Sequence, residues 1–103
     1  MTAAERRFSR DHPAAQGHFP GDPIIPGAVL LNETLRAIAA RLDAVPSAVH
    51  VRSAKFLRPT RPGDRVAIEF SNTARGEIRF ECTVDGKSVL TGQVRWEDAP
   101  TAD

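Results

Sequence analysis

The sequence predicts an α+β domain in which one amphipathic helix lies on an antiparallel sheet of about five strands. Three observations carry this. Leu31, Leu35, Ile38 and Leu42 recur at steps of four, three and four, the spacing of one helical face. Downstream, the runs Val66, Ile68, Phe70, then Ile78, Phe80, Cys82, Val84, then Leu90, Gly92, Val94, Trp96 alternate with period two, as strands buried on one face do. Turn signals separate these runs: Arg61-Pro62-Gly63-Asp64, Arg75-Gly76 and Asp85-Gly86.

Taken in order, residues 6–11 read as a short strand around Phe8, with 1–5 and 98–103 as frayed tails. Residues 13–27 hold Pro13, Pro20, Pro23, Pro26, Gly17, Gly21 and Gly27, a density of breakers that no helix or central strand survives. The same segment carries Phe19, Ile24 and Ile25, which a solvated linker does not need, so it reads as an ordered, partly buried loop. The helix follows over 28–42, with Pro26-Gly27 before it and Pro46 stopping the chain after Asp43. At about 100° per residue, Asn32 falls at the border of the Leu31 stripe and Glu33 on the opposite face. Val49 and Val51, then Ala54 and Phe56, alternate with a change of phase that predicts a β-bulge. The outward positions Glu69, Arg79, Glu81, Gln93 and Arg95 are polar.

At 103 residues the chain is read as one domain over 1–103. Its net charge of +1 argues against a nucleic-acid binder, which concentrates positive charge. One cysteine, Cys82, excludes an internal disulfide and a cysteine-based zinc site, and His12, His18 and His50 are not spaced as ligands, so no metal is expected. The longest apolar run, 28–31, is far too short to span a bilayer, and no apolar stretch follows the N-terminus as in a signal peptide. A cytoplasmic protein with no membrane partner is expected.

Chemistry concentrates in Gly17-His18-Phe19-Pro20-Gly21-Asp22-Pro23-Ile24-Ile25-Pro26-Gly27. It joins a histidine on a rigid loop to a helix N-terminus whose free N–H groups favour a developing negative charge. A histidine accepts a proton near neutral pH. Together these suit removal of a proton next to a carbonyl held by backbone N–H. A loop histidine also serves simply to close its loop with a backbone hydrogen bond.

This string, Gly17-His18-Phe19-Pro20-Gly21-x-Pro23-x-x-Pro26-Gly27, resembles the signature of the 3-hydroxyacyl-acyl-carrier-protein dehydratases, and Lys55-Phe56-Leu57-Arg58-Pro59-Thr60-Arg61-Pro62-Gly63-Asp64 resembles the strand and turn after the helix in that family. The resemblance covers roughly residues 8–97 and is closest to the compact, aryl-polyene type. It implies a hotdog fold, a sheet wrapped around a central helix. It implies a lyase that eliminates water from 3-hydroxyacyl thioesters, carried on acyl carrier protein or coenzyme A, with no cofactor. His18 takes the role of general base, and the Gly27 N–H binds the thioester carbonyl. Phe19, Pro26 and Ala28 then flank the substrate. It also implies a homodimer, with His18 of one chain facing position 32 of the other.

The family's helix carboxylate, fourteen positions after the histidine, is Asn32 here. An amide donates a hydrogen bond but gives up no proton at useful pH. This departure keeps two alternatives open: a weakly active or non-catalytic acyl-thioester-binding subunit, and a hotdog thioesterase. Lys55, Arg58 and Arg61 form a basic group that either steers an acidic carrier protein or is a solvated face. Asp22 and His12 read as loop residues, His50 as exposed or interfacial, Cys82 as a small buried hydrophobe and Trp96 as packing.

Overall fold

The computed structural model describes residues 2–10, 23–43, 49–74 and 76–97. The order of elements is β1 (Thr2–Arg7), α1 (Gly27–Leu42), β2 (Val49–Phe56), β3 (Arg65–Ala74), β4 (Glu77–Val84) and β5 (Lys87–Trp96). The strands form one antiparallel sheet in the order β1-β3-β4-β5-β2, so β1 and β2 are its edges. This is the helix-on-sheet arrangement that the two periodicities predict.

The alternating runs bury one face. Val66, Ile68, Phe70, Ile78, Phe80 and Val94 are at most 2% exposed, and the helix packs Leu30, Leu35 and Ile38 onto them. Cys82 is fully buried among them, and burial pushes its thiol up to about 11, so it acts as a small apolar residue. Trp96 is also core. On the outer face Glu69, Arg79, Glu81 and Arg95 are exposed and Gln93 half-buried, as expected.

The turns follow their residues. Pro62-Gly63 has Gly63 at φ 92°, the left-handed position of a type II turn, with the Asp64 N–H donating to the Arg61 carbonyl. Asp85 and Gly86, at φ 52° and 79°, make the type I′ hairpin of β4 and β5. The expected bulge in β2 is the register shift between Val51 and Ser53 against β5. Asp43, in the left-handed region, ends α1 by donating its N–H to the Ala39 carbonyl.

Two expectations are corrected. The first strand is not 6–11 with a frayed 1–5: β1 already begins at Thr2 and pairs with β3 from Thr2↔Phe70 to Arg7↔Arg65. Its strand state comes from backbone pairing with β3, which leaves no apolar alternation in Thr2-Ala3-Ala4-Glu5 to read. Phe8 lies just beyond it, buried, its backbone bonded to Asp64 and Gly63. The helix also buries a face turned from the expected stripe. Leu30, Thr34, Ala37 and Ala39 are buried, while Leu31 and Leu42 are only half-buried. Small residues line part of that face, with Thr34 Oγ1 3.4 Å from Cys82 Sγ on β4. Thr34 donates its hydroxyl to the Leu30 carbonyl at 2.8 Å, so this polar group in the core is not left unpaired. Residues 11, 46 and 75 and the tail 98–103 lie outside the described residues.

Gly92 sits where the β2 bulge meets β5. A Cβ there would lie 2.6 Å from Phe80 Cζ and 2.7 Å from the Ser53 carbonyl oxygen. The Phe80 ring is held in the packed core, and the Ser53 backbone moves only by opening the β2–β5 ladder. Gly92→Ala is therefore expected to destabilise the fold by about 1–3 kcal/mol, read as a lowered thermal midpoint. An unchanged midpoint would mean that the bulge absorbs the methyl group.

Candidate functional site

The site is built where the chain enters α1. The Ile25 N–H donates to the Thr60 carbonyl at 2.7 Å, an isolated antiparallel bridge that ties the incoming segment to the connection between β2 and β3. Pro26, at φ −56° and ψ 142°, is the N-cap, and its carbonyl accepts from Val29 and Leu30 at 3.0 and 3.1 Å. Among the described residues no side chain caps this end, and the first turn holds no acidic residue. Among the described residues the Gly27 and Ala28 N–H groups have no acceptor. Two free donors at the positive end of a sixteen-residue helix form a site for a carbonyl oxygen that gains charge.

Gly27 lies in close approach to Phe56. A Cβ would meet the Phe56 ring at 2.9, 3.1 and 3.2 Å. Phe56 itself is 49% exposed, an aromatic side chain lying over the helix end with one side open. Beside it is a cavity of about 420 Å³ lined by Ile25, Gly27, Leu30, Phe56, Arg58 and Thr60 among others. Its walls are mostly apolar, with the helix end at one side, which suits an acyl group carrying a polar head. Thr60 is 1% exposed, and its Oγ1 has no hydrogen-bond partner among the described residues.

The predicted site residues are brought together only in part. Gly27 and Pro26 lie at the helix entrance as expected, and Ala28 is exposed next to them. Arg58 lines the same cavity. Arg61 lines a neighbouring hollow with Arg10, Pro23 and Asp64, and its N–H donates to Asp64 Oδ2 at 2.8 Å. Lys55 is separated from both. It lines a larger hollow of about 570 Å³ on the outer sheet face with Glu69, Arg79 and Glu81, because alternation along β2 turns it away from Phe56. That hollow touches no helix end and holds none of the chemistry described above. Asn32 is exposed on α1 and is not part of the wall beside Gly27. Glu33, expected on the far face, is half-buried beside β1, 4.0 Å from Arg6 Nε. His18 and Phe19, like Asp11, His12 and Asp22, lie outside the described residues. His50 is exposed on β2, 3.1 Å from Glu97.

Thr60 was missed by sequence reasoning. Nothing in the alternation of the strands marks it, and only its pairing with Ile25 reveals its place at the helix entrance. Among the described residues no group of three or more His, Cys, Asp or Glu side chains is arranged to hold a metal, and no helix is long and apolar enough to cross a membrane.

The chain is similar to known proteins along almost all its length. A family model described as ApeI-like, ApeI dehydratase, matches residues 2–93. The 3-hydroxyacyl-[acyl-carrier-protein] dehydratase FabZ of Erwinia tasmaniensis is 37% identical over 101 residues, which cover 84% of this chain and 66% of that protein. The FabZ of Cronobacter sakazakii is 36% identical with the same coverage. The chain therefore spans 66% of the length of these relatives. In structure it is similar to the dehydratase heterocomplex ApeI:P of Xenorhabdus doucetiae, with a TM-score of 0.71 and 15% identity over 90% of this chain and 83% of that one. The (R)-hydratase from A. caviae involved in PHA biosynthesis gives 0.66 and 17%, over 92% of each chain. At those identities the likeness is one of fold, the hotdog arrangement of one helix against five antiparallel strands. A family model that matches 2–93 of 103 residues makes the conclusion direct: the chain belongs to the ApeI-like dehydratase family.

Proposed function

We propose that the protein eliminates water from 3-hydroxyacyl thioesters, carried on acyl carrier protein or coenzyme A in the cytoplasm, to give trans-2-enoyl thioesters. The observation that carries this is the start of α1, which no side chain caps among the described residues and where Gly27 lines a largely apolar cavity with its N–H free. It directly follows the string that holds His18. In this reading His18 takes the proton from C2 of the acyl group, and the electron pair moves toward the thioester carbonyl. The Gly27 N–H stabilises the developing oxyanion without reorganisation. The bond from C3 to oxygen then breaks, and the hydroxyl leaves as water once it receives a proton. The Asn32 amide orients that hydroxyl but supplies no proton. The proton that His18 has taken up is then the one at hand for the leaving group, and its transfer returns His18 to the neutral form.

Several features support a shared site in a homodimer. Asn32 is exposed in the single chain, and the edge strand β2 with its extension exposes Val51, Phe56 and Leu57 at 46, 49 and 43%. An open edge with apolar side chains calls for a cover. Sedimentation at micromolar concentration is expected to give twice the 11.2 kDa chain mass. A stable, folded monomer would remove the shared site from this reading. Arg58 and Arg61, near the cavity, are the residues we assign to carrier-protein docking, with Lys55 contributing from the outer face.

The assay that tests the reading follows enoyl formation and free thiol release together from one 3-hydroxyacyl thioester. Enoyl product supports a dehydratase and thiol a thioesterase. His18→Ala is expected to lose most enoyl formation with its thermal midpoint unchanged. Full turnover in that variant would sink the assignment, and unfolding would favour a loop-closing role for His18.

A second reading, an acyl-thioester-binding subunit with little activity, is favoured by Asn32 alone. Asn32→Asp restores an ionisable group of nearly the same shape. It is expected to raise dehydration about tenfold or more, within the range of a general acid. A strong loss in Asn32→Ala with no gain in Asn32→Asp would make the amide itself the working group. Silence of all three proteins on every thioester would favour the binding subunit.

A further inference from the structure

We infer that the Thr60 hydroxyl is a substrate-contacting group that recognises the 3-hydroxyl of the acyl chain. This rests on the dehydratase reading above and adds a specificity residue to it. Thr60 is 1% exposed, and its Oγ1 has no partner among the described residues. A buried hydroxyl without a partner is unfavourable, and a native fold keeps one where something else satisfies it.

The position points to the ligand. Thr60 is paired directly with Ile25, so the two side chains leave the backbone on the same side, and both line the cavity that begins at Gly27. The other named walls of that cavity are apolar side chains, apart from Arg58. The chemistry of the two polar ends differs. The Gly27 and Ala28 N–H groups only donate and fit a carbonyl oxygen. A threonine hydroxyl both donates and accepts, as the 3-hydroxyl of the substrate does. An acyl thioester seated with its carbonyl at the helix end runs its next carbons along this wall. The contact exists with the 3-hydroxyacyl substrate and disappears in the enoyl product, which leaves Thr60 without a partner again. Thr60 therefore favours substrate over product and over saturated acyl groups.

The test compares wild type, Thr60→Val and Thr60→Ser with two probes, 3-hydroxybutyryl-pantetheine and butyryl-pantetheine. Binding is read by calorimetry or by inhibition, and enoyl formation is read on the first probe. Thr60→Val keeps the shape and removes the hydroxyl. It is expected to weaken binding of the 3-hydroxy probe about fivefold to tenfold, the worth of one hydrogen bond, and to leave the saturated probe unchanged or tighter. Its thermal midpoint without ligand should rise, since an unpartnered hydroxyl is gone. Thr60→Ser should restore the preference. An unchanged ratio between the two probes in Thr60→Val, with wild type still forming enoyl product, would overturn this inference alone. A wild type that binds neither probe and forms no enoyl product would overturn the dehydratase reading and this inference with it.

Discussion

The 2.7 Å hydrogen bond from the Ile25 N–H to the Thr60 carbonyl fixes where α1 begins, and the candidate site is a consequence of that. The segment before the helix carries Pro23 and Pro26 and has little regular structure of its own. Tying Ile25 to the β2–β3 connection aims Pro26 into the N-cap position, with its carbonyl turned inward to Val29 and Leu30. Among the described residues, the next two N–H groups then have no acceptor. The same segment sets Phe56 against Gly27, where an added Cβ would lie 2.9 Å from the ring and push it aside. One backbone contact thus places the free donors, the close approach of Phe56 to Gly27 and the cavity together. Any change that moved Thr60 along the chain would misplace all three.

What the sequence revealed divides along physical lines. Long elements with strong periodicity were readable: the β3, β4 and β5 runs, the bulge in β2, and the turns at Pro62-Gly63 and Asp85-Gly86, because each rests on side chains that local rules constrain. β1 was misplaced because an edge strand is held by its partner's backbone, and Thr2-Ala3-Ala4-Glu5 carries no alternation. The buried face of α1 was read from its large residues alone. The buried face also includes Thr34, Ala37 and Ala39, whose small or polar side chains add little to a hydrophobic pattern. At the site, Pro26 and Gly27 were readable from breaker and helix-start signals. Thr60 was not, because its role comes from a contact across thirty-five positions of chain between Ile25 and Thr60. The basic trio was read as one group. Alternation along β2 sends Lys55 to the other face of the sheet, a separation that spacing in sequence alone does not express.

The turned face of α1 also changes how the two polar helix residues are understood. A stripe centred on Leu31 and Leu35 puts Asn32 at its border and Glu33 opposite. With Leu30, Thr34 and Ala37 buried, Glu33 instead comes to the β1 side, where Arg6 stands 4.0 Å away. Both groups of that pair are a third or more exposed, so water screens the pair and it contributes little to stability. It does occupy the Glu33 carboxylate on the flank of the sheet, away from the cavity at Gly27. Glu33 therefore stands apart from Asn32 by its place against β1, a different geometric reason than the helical wheel suggests.

The β2 edge links assembly to chemistry. In the single chain the sheet ends at a strand whose pattern is almost wholly exposed, and the extension beyond it carries Leu57 outward next to Phe56. Phe56 is at once the lid over Gly27 and part of this exposed edge. Covering the edge with a second copy, as proposed, would remove water from Phe56 and so from the helix end beneath it. Donors that face an oxyanion act more strongly when water is excluded, since the local dielectric falls. The same event would bring the exposed Asn32 against a neighbouring chain. In the proposed dimer, assembly and activity would then depend on one aromatic ring, with its outer side at the interface and its inner side at the site. A polar residue in place of Phe56 would weaken both together, whereas a change at Val51, which lies on the edge but away from Gly27, would weaken assembly first and the site only through it.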